Sequence, residues 1–234
     1  MKQEIRLNKF LVSVGACSRR EADRLIEDER VSVNRTPALL GQKVTGKEII
    51  TIDGEPVGKP PTKRIYMAYH KPIGIICTSD PNAEDNIIEA INFPERIFHI
   101  GRLDVASSGL ILLTNDGDIV NHILRAEEQH EKEYVIQTDR PLTDIFLHRM
   151  ETGVVIDDRH TLPATVKRLG PDRFTLTLIE GRNRQIRKMC EALGYEVKQL
   201  KRIRVMNIQL GDLPPGRWRF LTPQEEKELL ENKK

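Results

Sequence analysis

A chain of 234 residues, 38% apolar and 31% charged, is long enough for a small domain and a larger one, and it has no uncharged apolar run able to span a bilayer as a helix. Its net charge of +2 excludes a simple polybasic tail, yet residues 1–64 carry 13 Lys/Arg against 9 Asp/Glu and residues 182–204 carry 8 against 2. Such segregation is expected of a polyanion-binding surface, and equally of two solvated faces.

Cys17, Cys77 and Cys190 are odd in number and widely spaced, with no CxxC pair, which fits a reduced, cytoplasmic protein. The histidines show no HExxH and no paired ligand spacing, so no metal site is expected. Charges at Lys2, Glu4, Arg6 and Lys9 predict that no signal peptide is present.

In chain order, Leu7, Phe10, Leu11 and Val14 share one helical face, ended by Gly15. Ser18 through Glu21 reads as a capping box, and the helix it opens buries Ala22, Leu25 and Ile26. Val31 and Val33 alternate before Asn34-Arg35, and Ile50 and Ile52 before Asp53-Gly54, so short strands closed by turns are predicted. This makes a unit over residues 1–58. Residues 59–64, with Pro60 and Pro61, break every period and read as a linker.

From Ile65 to the end, strands are predicted over 64–69, 96–100, 109–114, 133–138, 163–169 and 173–179. Helices fit 118–125, 143–151 and 183–193, and a last one opens at the capping box Thr222 to Glu225. Strands interleave irregularly with helices, so the second domain, 65–234, is predicted to be a mixed, mostly antiparallel α+β domain.

Three segments can carry chemistry. Gly101-Arg102-Leu103-Asp104 sets an Arg and an Asp in a loop before Ser107-Ser108-Gly109 and an aliphatic strand. The carboxylate there is a candidate nucleophile, base or metal ligand, although the pattern alone favours a structural Asp bonded to its own loop. Lys132-Glu133-Tyr134 opens a strand, where a Tyr alone more often packs than reacts. Along 182–193, Ile186, Met189, Cys190 and Leu193 take one helical face, while Arg184, Arg187 and Lys188 take another. That basic stripe can grip phosphate or keep a carboxylate ionised; it can also simply be solvated.

Taken together in this order and spacing, these motifs resemble the RsuA-type family of ribosomal-RNA pseudouridine synthases. Tyr69-His70-Lys71-Pro72-Ile73-Gly74 is similar to the family's opening motif, with His70 where Asn is usual. Arg6-Leu7-Asn8-Lys9, Ser18 to Ala22 and Val31 to Asn34 resemble an S4-type RNA-binding domain. His130 to Tyr134 and Arg204-Val205-Met206-Asn207 look most like the RluF branch, which acts on large-subunit RNA.

The resemblance implies an S4-type α/β RNA-binding domain joined to a pseudouridine synthase catalytic domain. Asp104 would initiate glycosidic cleavage, Tyr134 would stack on the uracil, and Arg187 would pair with Asp104. Leu178 would wall the base pocket. Arg102, Arg182, Arg184 and Lys188 would meet substrate, and Arg6, Lys9, Ser18, Arg19, Arg20 and Asn34 would hold RNA. No cofactor is implied, because isomerisation changes neither redox state nor composition. The expected partner is ribosomal RNA, 23S before 16S, with transfer RNA as a further possibility. No membrane and no obligate protein partner are expected, and the chain should be a monomer. The rival readings are a non-catalytic S4-bearing ribosome-binding factor and a metal-dependent RNA hydrolase.

Overall fold

The structure is a computed structural model that describes residues 4–59, 63–80, 82–124 and 130–231. Contacts divide the chain into two compact units, one of residues up to Arg64 with Asn115–Gly117, the other of the remainder from Ile65. Part of the segment expected as a linker, residues 60–62, lies outside the described residues, as does residue 125 at the end of one expected helix.

The first unit runs β1 (Ile5–Arg6), α1 (Leu7–Ser13), α2 (Arg19–Glu27), β2 (Val31–Val33), β3 (Thr36–Pro37), β4 (Lys43–Val44), β5 (Ile50–Ile52) and β6 (Glu55–Pro56). Leu7, Phe10 and Leu11 from α1 and Ala22, Leu25 and Ile26 from α2 meet Val31, Val33 and Ile50 from the sheet in one core. Val14, placed on the same helical face by its spacing, lies just past α1 and packs at the core's edge. The sheet order is β3-β2-β5-β6, with Val31 opposite Ile52 and Val33 opposite Ile50. Ser18 Oγ accepts the Glu21 N–H at 3.2 Å, a cap contributing about 1 kcal/mol. The Glu21 carboxylate instead lies 4.0 Å from Arg24, an opposite charge one turn on. Asn34 and Arg35 both take positive φ, 51° and 69°, as a two-residue hairpin turn with the hand of the strand twist requires.

The second unit runs β7 (Tyr66–Lys71), α3 (Ile87–Ile91), β8 (Phe98–Ile100), β9 (Ser108–Thr114), α4 (Gly117–Leu124), β10 (Lys132–Thr138), α5 (Asp144–Thr152), β11 (Val155–Ile156), β12 (Arg159–His160), β13 (Thr165–Arg168), β14 (Arg173–Leu178), α6 (Gln185–Ala192), β15 (Val197–Val205), β16 (Ile208–Gln209), β17 (Trp218–Phe220) and α7 (Pro223–Glu231). Its large sheet has the order β13-β14-β10-β15-β9-β7-β17, with β8 on β9 and β16 on β15. Neighbours are antiparallel except β9 and β15, which run parallel. The fold is thus α+β with a mostly antiparallel sheet, as the interleaving of elements predicts.

Cores form on both faces of this sheet. Ile136, Phe174 and Leu176 from the strands pack on Phe146 and Met150 of α5 and Met189 and Cys190 of α6. Around β7 and β9, Met67, Tyr69, Ile111 and Leu113 pack on Ile87 and Ile91 of α3, while Ala68, Leu110 and Leu112 face Ile119 and Leu229. Strand β9 is therefore buried on both faces, which explains its unbroken aliphatic run. At the last helix, Glu225 N–H bonds Thr222 Oγ1 and Thr222 N–H bonds Glu225 Oε2, the full reciprocal cap.

Several elements differ from expectation: β11, β12, β16 and β17 are strands of two or three residues, too short to show a period, and β15 and α3 have reasons of their own. Strand β15 at the sheet's centre carries Lys198, Lys201, Arg202 and Arg204, and its charge hides its period. Helix α3 has only five residues and reads as loop until Asn86 caps it by accepting from Ile88 N–H and Glu89 N–H.

Candidate active site

Asp104 sits in the loop from β8 to β9. The Ser107 N–H donates to its carbonyl at 3.0 Å and closes a turn there. Leu103 is buried beside it and donates its N–H to Cys77 Sγ at 3.4 Å. The loop can enter the strand so tightly because Gly109, at φ 115°, lies against the Arg202 backbone of β15. A Cβ at Gly109 would stand 2.2 Å from the Arg202 carbonyl oxygen.

Helix α6 delivers Arg187. Its Nε lies 3.9 Å from Asp104 Oδ2, the two side chains being 15% and 29% exposed. One terminal nitrogen donates to the Ala106 carbonyl at 2.9 Å and to Ser107 Oγ at 3.3 Å, and the other to the Val197 carbonyl at 3.2 Å. Burial, with Arg184 nearby, pushes the Arg187 pKa down, while Asp104 works the other way. Arg187 Nε is buried without a hydrogen-bond partner. The expected pairing of Arg187 with Asp104 is therefore a close electrostatic approach, with the hydrogen bonds going to the loop that carries Asp104.

The segment before α6 is pinned. Arg184 takes φ 51° at the helix N-cap, where it turns the chain into α6. Buried Gln185 accepts the Arg182 N–H at 3.0 Å and donates to Glu180 Oε1 at 2.5 Å. Arg182 itself donates to the carbonyls of Ile156 and Arg159. Lys188 bonds both Asp157 oxygens, at 2.8 and 2.6 Å, and so serves a surface ion pair.

Tyr134 projects from β10, which lies between β14 and β15. It is half-buried and packs against two of the sheet's cores. Glu133 beside it bonds Arg204 Nε at 3.0 Å, and Glu131 bonds the same guanidinium at 2.9 Å, tying β10 to β15. Asp104, Tyr134, Leu178, Arg102, Arg182 and Arg184 line one pocket of about 450 Å³, open solvent included. Lys188 does not line it, and Arg187 stands behind Asp104.

Sequence reasoning missed several supporting groups. Lys71, within the opening motif, is fully buried and donates to the Pro72 carbonyl at 2.8 Å; burial lowers its pKa, opposed by Cys77 and Asp104. Arg202 is buried and donates to the Leu110 carbonyl at 2.7 Å. Gln185 lay within the basic motif but has no charge to draw attention. His70 is buried, and its Nδ1 pairs with the Leu213 carbonyl at 2.6 Å, a structural bond in which the ring nitrogen donates; burial lowers the His70 pKa, and this bond works the other way.

Among the described residues, no group of three or more His, Cys, Asp or Glu is arranged to hold a metal ion. In the first unit, Arg6, Lys9 and Arg19 line a shared hollow with Asn8, and Arg20 is exposed on α2. Ser18 caps α2, and Asn34 Oδ1 accepts the Ile49 N–H at 2.9 Å, so both have local structural tasks. No described helix is long and apolar enough to cross a membrane.

Comparison with known proteins bears on this geometry. Residues 65–192 match the family described as RNA pseudouridylate synthase, and residues 5–50 match the S4 domain. The chain is 46% identical over 222 residues to the dual-specificity RNA pseudouridine synthase RluF of Shigella flexneri, covering 94% of this chain and 77% of that protein. It is 37% identical over 233 residues to the ribosomal large subunit pseudouridine synthase B of Bacillus subtilis, covering 96% and 95%. A crystal structure of a pseudouridylate synthase superposes with a TM-score of 0.71 at 28% identity, over 96% of this chain and 99% of that one.

Proposed function

This chain belongs to the RNA pseudouridylate synthase family, and we propose that it isomerises uridine to pseudouridine in ribosomal RNA with Asp104 as the reacting carboxylate. The observation that carries the assignment is one pocket in which Asp104 faces Tyr134 and Leu178 while Arg187 holds the loop behind it. The relatives named for large-subunit RNA support the 23S molecule as substrate. An S4 domain with exposed Arg6, Arg19 and Arg20 and half-buried Lys9 supports a first hold on phosphate and helical shape through these residues. A cytoplasmic monomer without cofactor fits this reading.

The reaction breaks the bond between C1′ and N1, turns the detached uracil in place, and joins C1′ to C5. N1 then carries a hydrogen, and C5 gives up its own. No atom is gained or lost, so the protein's work is to open the glycosidic bond, retain the base, and move one proton. Asp104 initiates cleavage. Leu178 and Tyr134 hold the free uracil by its faces, and the Tyr134 hydroxyl assists loss of the C5 proton. The Arg187 guanidinium, 3.9 Å from the carboxylate, holds the loop that carries Asp104 in place. The target must leave its stack, at a cost of about a few kcal/mol, and Arg102 at the pocket rim is placed to take the flanking phosphate.

The test is pseudouridine mapping of ribosomal RNA from cells with and without this chain, by carbodiimide labelling and reverse-transcription stops. A stop that vanishes on deletion and returns with the wild-type chain is expected. Identical maps would favour transfer RNA as substrate or a non-catalytic S4-bearing factor.

A further inference from the structure

A second hollow adjoins the Asp104 pocket. Arg102, Asp104, Arg182 and Arg184 line both hollows, but the second continues away from Tyr134 toward Ile73, Ile76 and Val105. Those three side chains are 65%, 38% and 46% exposed. A single exposed aliphatic residue needs no explanation, but three converging on one cleft beside a reactive carboxylate do.

The wall they form is held in place. The Gly74 N–H donates to the Val105 carbonyl at 2.9 Å, tying the Ile73 turn to the Asp104 loop. The Ile76 N–H donates to the Asp85 carbonyl, and the Ile76 carbonyl accepts from the Ile87 N–H, both at 2.9 Å. Arg182 and Arg184 line the same cleft, with the Arg182 guanidinium fixed by two carbonyls.

A cleft lined by both aliphatic side chains and arginines suits an unstacked nucleotide, with its base on the former and its phosphate at the latter. We infer that this cleft is a second nucleobase subsite, taking the base of a nucleotide next to the target uridine. The inference rests on the adjoining pocket being the uridine site. Drawing one base out of a stack exposes its neighbour, and burying that neighbour on Ile73 and Val105 offsets part of the unstacking cost. The subsite would then select RNA in which a neighbour of the target leaves its stack easily.

The test uses the full chain and the tightest-binding hairpin from a library of ribosomal RNA fragments. The hairpin is made intact and with an abasic nucleotide at each loop position in turn. Equilibrium binding is measured for wild type, Ile73→Ala and Ile76→Ala, with thermal melts to confirm folding. At one position beside a uridine, base removal should weaken wild-type binding about tenfold but either variant less than twofold. If the two losses multiply at every loop position, the subsite does not exist. Pseudouridine formation in the intact hairpin is read in parallel. Its absence alongside a clear coupling would count against the isomerase reading and leave the subsite standing.

Discussion

Arg187 Nε approaches Asp104 Oδ2 only to 3.9 Å, while its terminal nitrogens bond the Ala106 and Val197 carbonyls and Ser107 Oγ. The arginine therefore acts as a brace that spans α6, the start of β15 and the Asp104 loop, and its charge reaches the carboxylate through space. A lysine keeps the charge but has no planar fork to satisfy these acceptors together. Arg187→Lys is predicted to lower the single-turnover rate about a hundredfold with RNA binding changed less than about threefold. Single-turnover kinetics beside equilibrium binding measure this. A fully active lysine variant would show that charge alone suffices.

Gly109 allows β9 to lie against β15 just after that loop. Alanine there combines φ 115° with a Cβ placed 2.2 Å from the Arg202 carbonyl oxygen. Gly109→Ala should destabilise the catalytic unit by about 3 kcal/mol or more. Urea unfolding gives the value, and a loss under about 1 kcal/mol would mean the two strands can part without cost.

The S4 unit offers a prediction from charge. Arg6 and Arg19 line one hollow, and Arg20 is exposed beside it. If each meets a phosphate, Arg19→Ala or Arg20→Ala should weaken RNA binding and reduce the slope of log affinity against log salt by about 0.7 to 0.9. Binding titrations from low to high salt provide the slopes. An unchanged slope would remove that residue from the RNA contact.

Glu48 gives the same unit a pH-sensitive brace. Its carboxylate accepts the N–H groups of Thr45 and Lys47 and the Thr45 hydroxyl, and its pKa is pulled down to about 2, first by its own backbone N–H and then by the Thr45 N–H and hydroxyl. A depressed folded-state pKa means the stabilisation is complete above the ordinary carboxylate range and fades as pH falls toward 2. Allowing for solvent screening, Glu48→Gln should cost about 1 kcal/mol at pH 7. The gap between variant and wild type should narrow steadily below about pH 4.5. Unfolding of both chains across that range checks it, and a gap independent of pH would assign the effect to packing.

Much of this fold was legible because its period is local. Phe174, Leu176 and Leu178 alternate as a half-buried strand must, and Ile186, Met189 and Cys190 recur at helical spacing. Strand β15 was not legible: a central strand with four cations depends on partners far along the chain, such as Glu133 for Arg204 and the Leu110 carbonyl for Arg202. At the site, Asp104, Tyr134 and the arginines stand out as motifs, but their roles, and Leu178 altogether, follow only from the family resemblance; the structure sets Asp104, Tyr134, Leu178, Arg102, Arg182 and Arg184 around one pocket. Gln185 and Lys71 were not legible, because a buried polar group reveals its task only through the carbonyls and carboxylates it meets. The same limit hid the fate of Lys188, whose partner Asp157 lies in a separate hairpin.

Asp104 is assigned the isomerisation step, and tritium release tests that role most directly. Formation of the new carbon bond releases the hydrogen on uridine C5, so ribosomal RNA tritiated at that carbon reports each turnover as tritium in water. Wild type and Asp104→Asn should bind this RNA within about threefold of each other, and the variant should release tritium at least about a thousandfold more slowly. Release by Asp104→Asn at a rate close to wild type would contradict the account.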